Sequence, residues 1–147
     1  MAAGALIFTF PGVPLVYNGD EVGNDRQLNL MDKVDIDWEH GSEFRNFYAR
    51  LAHVRREHAA LREGDYRPIW CSDSTRVLAF ERRSGHDDVC VVINFSKDRK
   101  TVQIESGNDL TEVLSEKTLS SVKGKVNLSL ASYGFLILLP TQKGTQK

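Results

Sequence analysis

The spacing of apolar positions changes twice along the chain. Residues 1–40 carry two short apolar bursts inside a stretch rich in Gly, Pro, Asn and Asp. The first, Ala5-Leu6-Ile7-Phe8-Thr9-Phe10, fits either the end of a buried helix or a buried strand, because periodicity cannot separate the two over so few residues. Pro11-Gly12 ends it. The second, Val13-Pro14-Leu15-Val16-Tyr17, reads as a short strand with Pro14 near its start, where a missing N–H is tolerated. A polar loop, Asn18 to Asp25, leads out of it.

Over 41–63 the period becomes helical. Phe44, Phe47, Tyr48, Leu51 and Val54 recur at the i, i+3, i+4, i+7 spacing of one apolar face. Ser42 is placed to cap this helix, Glu43 suits its first turn, Arg55, Arg56 and His58 suit its last, and Gly64 is a plausible stop. From 64 to 140 the pattern turns to short β-type runs: Tyr66–Cys71, Val77–Glu81, Val89–Phe95, Thr101–Ile104, Asp109–Leu114, Val126–Leu130 and Tyr133–Leu139. Turn-like clusters such as Ser84-Gly85-His86-Asp87 and Ser106-Gly107-Asn108 separate them. Val126, Leu128 and Leu130 alternate with Asn127 and Ser129, as in a strand with one buried face. Val89–Phe95 is apolar nearly throughout, which suits a central strand. The expected fold is mainly β: an antiparallel β-sandwich over 64–147, preceded by a short β/α segment over 1–63, with a frayed tail from Thr141.

Composition narrows the functions available. With 19 Lys plus Arg against 20 Asp plus Glu, the net charge is −1, so neither nucleic acid nor an anionic membrane surface is expected as a partner. Cys71 and Cys90 are too few for a disulfide framework or a multi-cysteine zinc site. No apolar run approaches the roughly 18–20 residues that span a bilayer. Met1-Ala2-Ala3-Gly4 lacks the basic start of a secretory signal, so no targeting segment is expected and the cytoplasm is the default. A complete (β/α)8 barrel needs roughly 200 residues, and the chain has 147.

Few side-chain patterns point to chemistry. His53 and His58 are five apart, which on a helix puts them on different faces, and His40 and His86 lie in polar, loop-like stretches. All four read as solvated or locally bonded, and no metal or other cofactor is expected. Neither cysteine has a neighbouring His or second Cys to activate it. Carboxylates crowd together at Asp20, Glu21, Asp25, Asp32, Asp35, Asp37 and Glu39. Paired carboxyls in a cleft are what glycoside hydrolysis uses, and Asp35 and Asp37 share one face of an extended segment. A solvated acidic loop has the same pattern. Asp20 and Glu21 can equally brace their own loop through backbone N–H groups. Trp38 and Trp70 stand outside the helical stripe and are candidates for stacking on a sugar ring.

The run Pro11-Gly12-Val13-Pro14-Leu15-Val16-Tyr17-Asn18-Gly19-Asp20-Glu21-Val22-Gly23 resembles a signature of the α-amylase family of glycoside hydrolases, found around the last barrel strand. Asp35-Ile36-Asp37-Trp38 is similar to an element before that family's last barrel helix, and 44–64 to the helix itself. Val91-Val92-Ile93-Asn94-Phe95-Ser96 and Tyr133-Gly134-Phe135 resemble strands of its C-terminal β-sandwich. The resemblance implies that 1–63 is the last β/α unit of a (β/α)8 barrel and 64–147 the C-terminal domain. The family's catalytic carboxylates lie on earlier strands, so no residue here inherits a catalytic role. Tyr17, Asn18, Asp20 and Glu21, at the strand end where barrel active sites form, become candidates for bordering or bracing the cleft. The implied partners are the rest of the barrel and an α-glucan oligosaccharide. Alone, the exposed barrel surface favours self-association, or a different packing of 1–40. A carbohydrate-binding module using Trp38 or Trp70, and a purely structural assembly domain, are the rival readings.

Overall fold

A computed structural model of the chain describes residues 1–26, 29, 31 and 33–141; Asp32 and the tail beyond 141 lie outside the described residues. The first apolar burst is a helix, α1 (Ala2–Thr9). Thr9 closes it by donating its hydroxyl to the Ala5 carbonyl at 2.7 Å. Phe10 then turns extended, as a residue before proline prefers. The second burst departs from expectation, because Val13–Tyr17 forms no strand. A strand is held by a ladder to a neighbour, and none of the strand pairings among the described residues includes these positions. Val13 is left 94% exposed and Leu15 72%.

The helix expected over 41–63 is two helices. α2 (Ser42–Glu57) and α3 (Ala59–Glu63) meet at His58, whose backbone is extended at φ −104° and ψ 109°. Asp87 explains the break. Its carboxylate receives the Ala60 N–H at 2.9 Å and contacts His58 Nδ1 at 2.9 Å, satisfying a first-turn donor of α3 from outside the helix. Ser42 is not a cap. Gly41, left-handed at φ 77°, precedes α2, and among the described residues no side chain caps the helix start. A Cβ at Gly41 would lie 2.2 Å from the Val22 carbonyl oxygen, so the approach admits only glycine.

Among the described residues, nine strands follow: β1 (Asp65–Pro68), β2 (Val77–Ser84), β3 (Asp87–Asn94), β4 (Lys100–Glu105), β5 (Leu110–Glu112), β6 (Thr118–Leu119), β7 (Ser121–Val122), β8 (Lys125–Leu130) and β9 (Phe135–Pro140). They form antiparallel sheets in the orders β1-β2-β3-β9-β5-β6 and β4-β8-β7. The run Tyr66–Cys71 does not stay in one sheet. Ile69 still donates to Ala79, and Cys71 then bridges to Ile104 of β4 in the other sheet.

Two cores result. Between the sheets, Val77, Ala79, Val92 and Leu138 meet Val102, Ile104, Val126, Leu128 and Leu130. On the outer face of the larger sheet, Phe80, Val91, Ile93 and Ile137 pack with Ala5, Phe8, Leu51, Val54 and Leu61 of the helices. The middle of β3, Val89–Ile93, is apolar at every position because both its faces are covered. The architecture is therefore three layers, helices on a six-stranded sheet on a three-stranded sheet, and it is mainly β.

Candidate functional site

The loop after Val16 is built from its own carboxylates. Tyr17 N–H donates to the Asp20 carboxylate at 2.9 Å, and Asp20 N–H donates back to the Tyr17 carbonyl at 2.9 Å. Gly19 N–H donates to the Glu21 carboxylate at 3.1 Å. A short 3-10 turn, Asp20–Val22, runs between Gly19 and Gly23, both with positive φ. Its buried Val22 sits on the start of α2, where Gly23 leaves room for the Phe44 ring. Behind the loop, burial pushes the Tyr48 phenol above its ordinary value, and the negative charges of Asp20 and Glu21 add to that. Tyr17, Asn18, Asp20 and Glu21 thus belong to one loop, with Tyr17, Asn18 and Asp20 exposed. Carboxylates engaged with backbone amides shape a loop.

The other candidates are dispersed. Asp35 pairs with Lys33 at 2.9 Å, both exposed. Asp37 contacts His40 Nδ1 at 2.6 Å and accepts from Glu39 N–H, and the His40 bond leads in holding its carboxyl below the usual value. His53 sits beside Arg56 at 3.0 Å, and His58 is taken by Asp87. Trp38 lies near the start of α2, its carbonyl accepting from Arg45 at 2.6 Å. Trp70 lies on the far side of the sheet, under the Lys125 ammonium at 4.7 Å from the ring centroid. The two tryptophans therefore sit in separate settings. Cys71 and Cys90 are buried thiols, and burial pushes both upward in pKa, away from a reactive thiolate.

Two arginines form the polar centre of the molecule. Arg82 on β2 is 1% exposed and donates to the carbonyls of Thr9 (2.8 Å), Leu61 (3.3 Å) and Gly64 (2.8 Å). Arg55 on α2 donates to those of Phe8 (2.8 Å) and Gly12 (2.5 Å). Together they cap the last carbonyls of α1, where the helix dipole favours cations. Desolvation leads in lowering the pKa of both; the Arg55 charge adds to this at Arg82 while Asp65 opposes it, and the Arg62 charge adds to it at Arg55. Arg82 is not among the candidates that the sequence pattern marks. The signal was its place two residues after Phe80, on the face of β2 that covers the helices. A groove of about 720 Å³ runs between α2 and Val113–Leu114, and Arg50 crosses its wall to the Leu114 carbonyl at 2.6 Å.

Comparison with known proteins places this arrangement. Residues 69–137 match the maltogenic amylase C-terminal domain. A cyclomaltodextrinase of a Bacillus species is 32% identical over 103 residues, covering 68% of this chain and 18% of its own length. The alpha-amylase MalA of Haloarcula japonica is 38% identical over 120 residues, covering 78% of this chain and 17% of its own. The chain thus spans under a fifth of the length of either relative. Among solved structures, a cyclomaltodextrinase superposes with a TM-score of 0.82 at 26% identity, over 95% of this chain and 25% of that one. An alpha-amylase from Geobacillus thermoleovorans, complexed with acarbose, superposes at 0.85 over 97% of this chain and 33% of that one; at 18% identity it attests to the fold. The match to a C-terminal domain, a shared fold and short coverage of long relatives agree: the chain belongs to the alpha-amylase family of glycoside hydrolases and corresponds to their C-terminal portion.

Proposed function

We propose that the chain supports a catalytic barrel in an enzyme acting on α-glucans and maltooligosaccharides, with 1–63 as the last β/α unit of that barrel and 64–147 as the β-sandwich that holds it. The observation that carries this reading is the joint core of helices and sheet, pinned by Arg82 to Thr9, Leu61 and Gly64. A sandwich built this way fixes the helix that enters the last barrel strand. Val13–Tyr17 is the edge offered to the barrel, and Asp20 and Glu21 brace the loop that leaves it, with Tyr17 and Asn18 bordering the cleft. The catalytic carboxylates belong to the partner barrel, so the 147 residues alone hydrolyse nothing, and their exposed apolar edge makes them self-associate.

The test is replacement. The matching C-terminal region of the Bacillus cyclomaltodextrinase is removed, and this chain is fused in its place. The truncated relative is expected to lose its activity and the fusion to regain a measurable part of it. A truncated relative that keeps full activity, or a soluble fusion with none, refutes a supporting role.

A further inference from the structure

At one end of β2, beside the Cys71–Ile104 bridge between the sheets, the surface is polar and indented. Val77, Ala79, Glu81 and Arg83 share one face of β2, so the face that starts as core becomes charged as the strand runs on. Arg67 of β1 is the cross-strand partner of Glu81. Glu105, at the end of β4, closes the opposite wall, and Lys125 is its cross-strand partner. Two cavities open on the shared wall of Glu81, Arg83 and Glu105. One, of about 160 Å³, is lined by Trp70 and Arg67. The other, of about 100 Å³, reaches inward to Asp88 and Asn108.

We infer that this cleft is a binding site for a neutral oligosaccharide, with Trp70 as its platform. Charge argues for the ligand class. Glu81, Asp88 and Glu105 are matched by Arg67, Arg83 and Lys125, and Arg83 pairs internally with Glu81 at 2.7 Å and Asp88 at 3.9 Å. A site so balanced has no net attraction for a phosphate or a metal cation. It does offer planar donors and acceptors at close spacing, which suits a ligand carrying many hydroxyls and no charge. Trp70 supplies the apolar surface on which the C–H face of a sugar ring rests. Lys125 holds the indole by a cation–π contact, yet Trp70 remains 45% exposed. Each cavity is smaller than the roughly 300 Å³ of a drug-sized pocket, so one or two rings dock and the rest of a chain projects outward. The α-glucan as the specific sugar rests on the function proposed above; the cleft itself does not.

Tryptophan emission of the full chain, which has only Trp38 and Trp70, gives a direct readout. The Trp38→Phe variant is titrated with maltotriose and, separately, with cellotriose, to tens of millimolar. A saturable change with maltotriose is expected. Titration calorimetry on Trp70→Ala and Glu105→Gln, each with an unchanged circular dichroism spectrum, should show affinity falling by about tenfold or more. No saturable change with either sugar in Trp38→Phe, or wild-type affinity in both cleft variants, overturns the site. Saturation by cellotriose alone overturns the α-glucan assignment, while failure of the fusion enzyme would bear on the supporting role and leave this result untouched.

Discussion

Replacing Arg82 with Met keeps an unbranched side chain of similar length in the core but removes the guanidinium. Three buried or partly buried carbonyls, of Thr9, Leu61 and Gly64, then lose their donor. An orphaned buried acceptor costs about 1–2 kcal/mol, so the loss is about 3–6 kcal/mol. Arg82 Nε has no partner among the described residues, and relieving that buried donor returns about 1–2 kcal/mol. The net destabilisation is about 3 kcal/mol, a large share of the roughly 5–15 kcal/mol that holds a typical domain. For a chain of this length that corresponds to a melting temperature lower by about 6–12 °C. Urea unfolding followed by circular dichroism, with a thermal scan beside it, reads both numbers. Arg82→Lys keeps a charge but loses the fork that reaches three acceptors, and should fall between wild type and Met. A Met variant within about 0.5 kcal/mol of wild type would refute the idea that Arg82 joins helices to sheet.

Further outcomes follow from single contacts. Gly41→Ala forces a Cβ against the Val22 carbonyl at positive φ, and should cost about 1–3 kcal/mol in the same unfolding assay. Asp73 is held at a pKa of about 2, first by the Lys100 bond and then by Thr75. Its lowered folded pKa makes its stabilisation complete above the unfolded value near 4 and lost as pH falls through about 2. Asp73→Asn should therefore flatten the fall in melting temperature over that acid window and leave the slope at neutral pH unchanged. Cys71 and Cys90 should resist iodoacetamide in the native state and label on unfolding, as mass spectrometry would record; rapid native labelling of Cys90 would contradict its burial. Light scattering on the isolated chain should give a mass above 16.6 kDa, and a monodisperse monomer would count against the exposed edge as an unmet interface.

The sandwich and α2 were legible because their periodicity is local: alternation along β8 and the stripe from Phe44 to Val54 need no distant information. The family was legible because Pro11 to Gly23 is a contiguous motif. What escaped depends on partners far along the chain. Asp87 breaks the long helix from 29 residues away, and Arg82 reaches Thr9 across 73. Neither bond leaves a trace in spacing. Val13–Tyr17 has every mark of a strand, but strand formation also requires an adjacent edge, and sequence pattern carries no record of whether one is present. Trp70 looked like an open platform, and only the fold reveals Lys125 over its ring, brought there by the β4–β8 register.

Amide hydrogen exchange at Val13, Leu15, Val16 and Tyr17, compared between the isolated chain and its fusion to the relative's barrel, addresses the supporting role most directly. Val13, Leu15 and Val16 have no ladder partner among the described residues and should exchange rapidly in the isolated chain, whereas the Tyr17 N–H, bonded to the Asp20 carboxylate, serves as a partly protected reference. In the active fusion the first three should become protected by orders of magnitude as the segment takes its place as a barrel strand. Rapid exchange persisting at Val13, Leu15 and Val16 in an active fusion would contradict the reading of residues 1–63 as the last unit of the barrel.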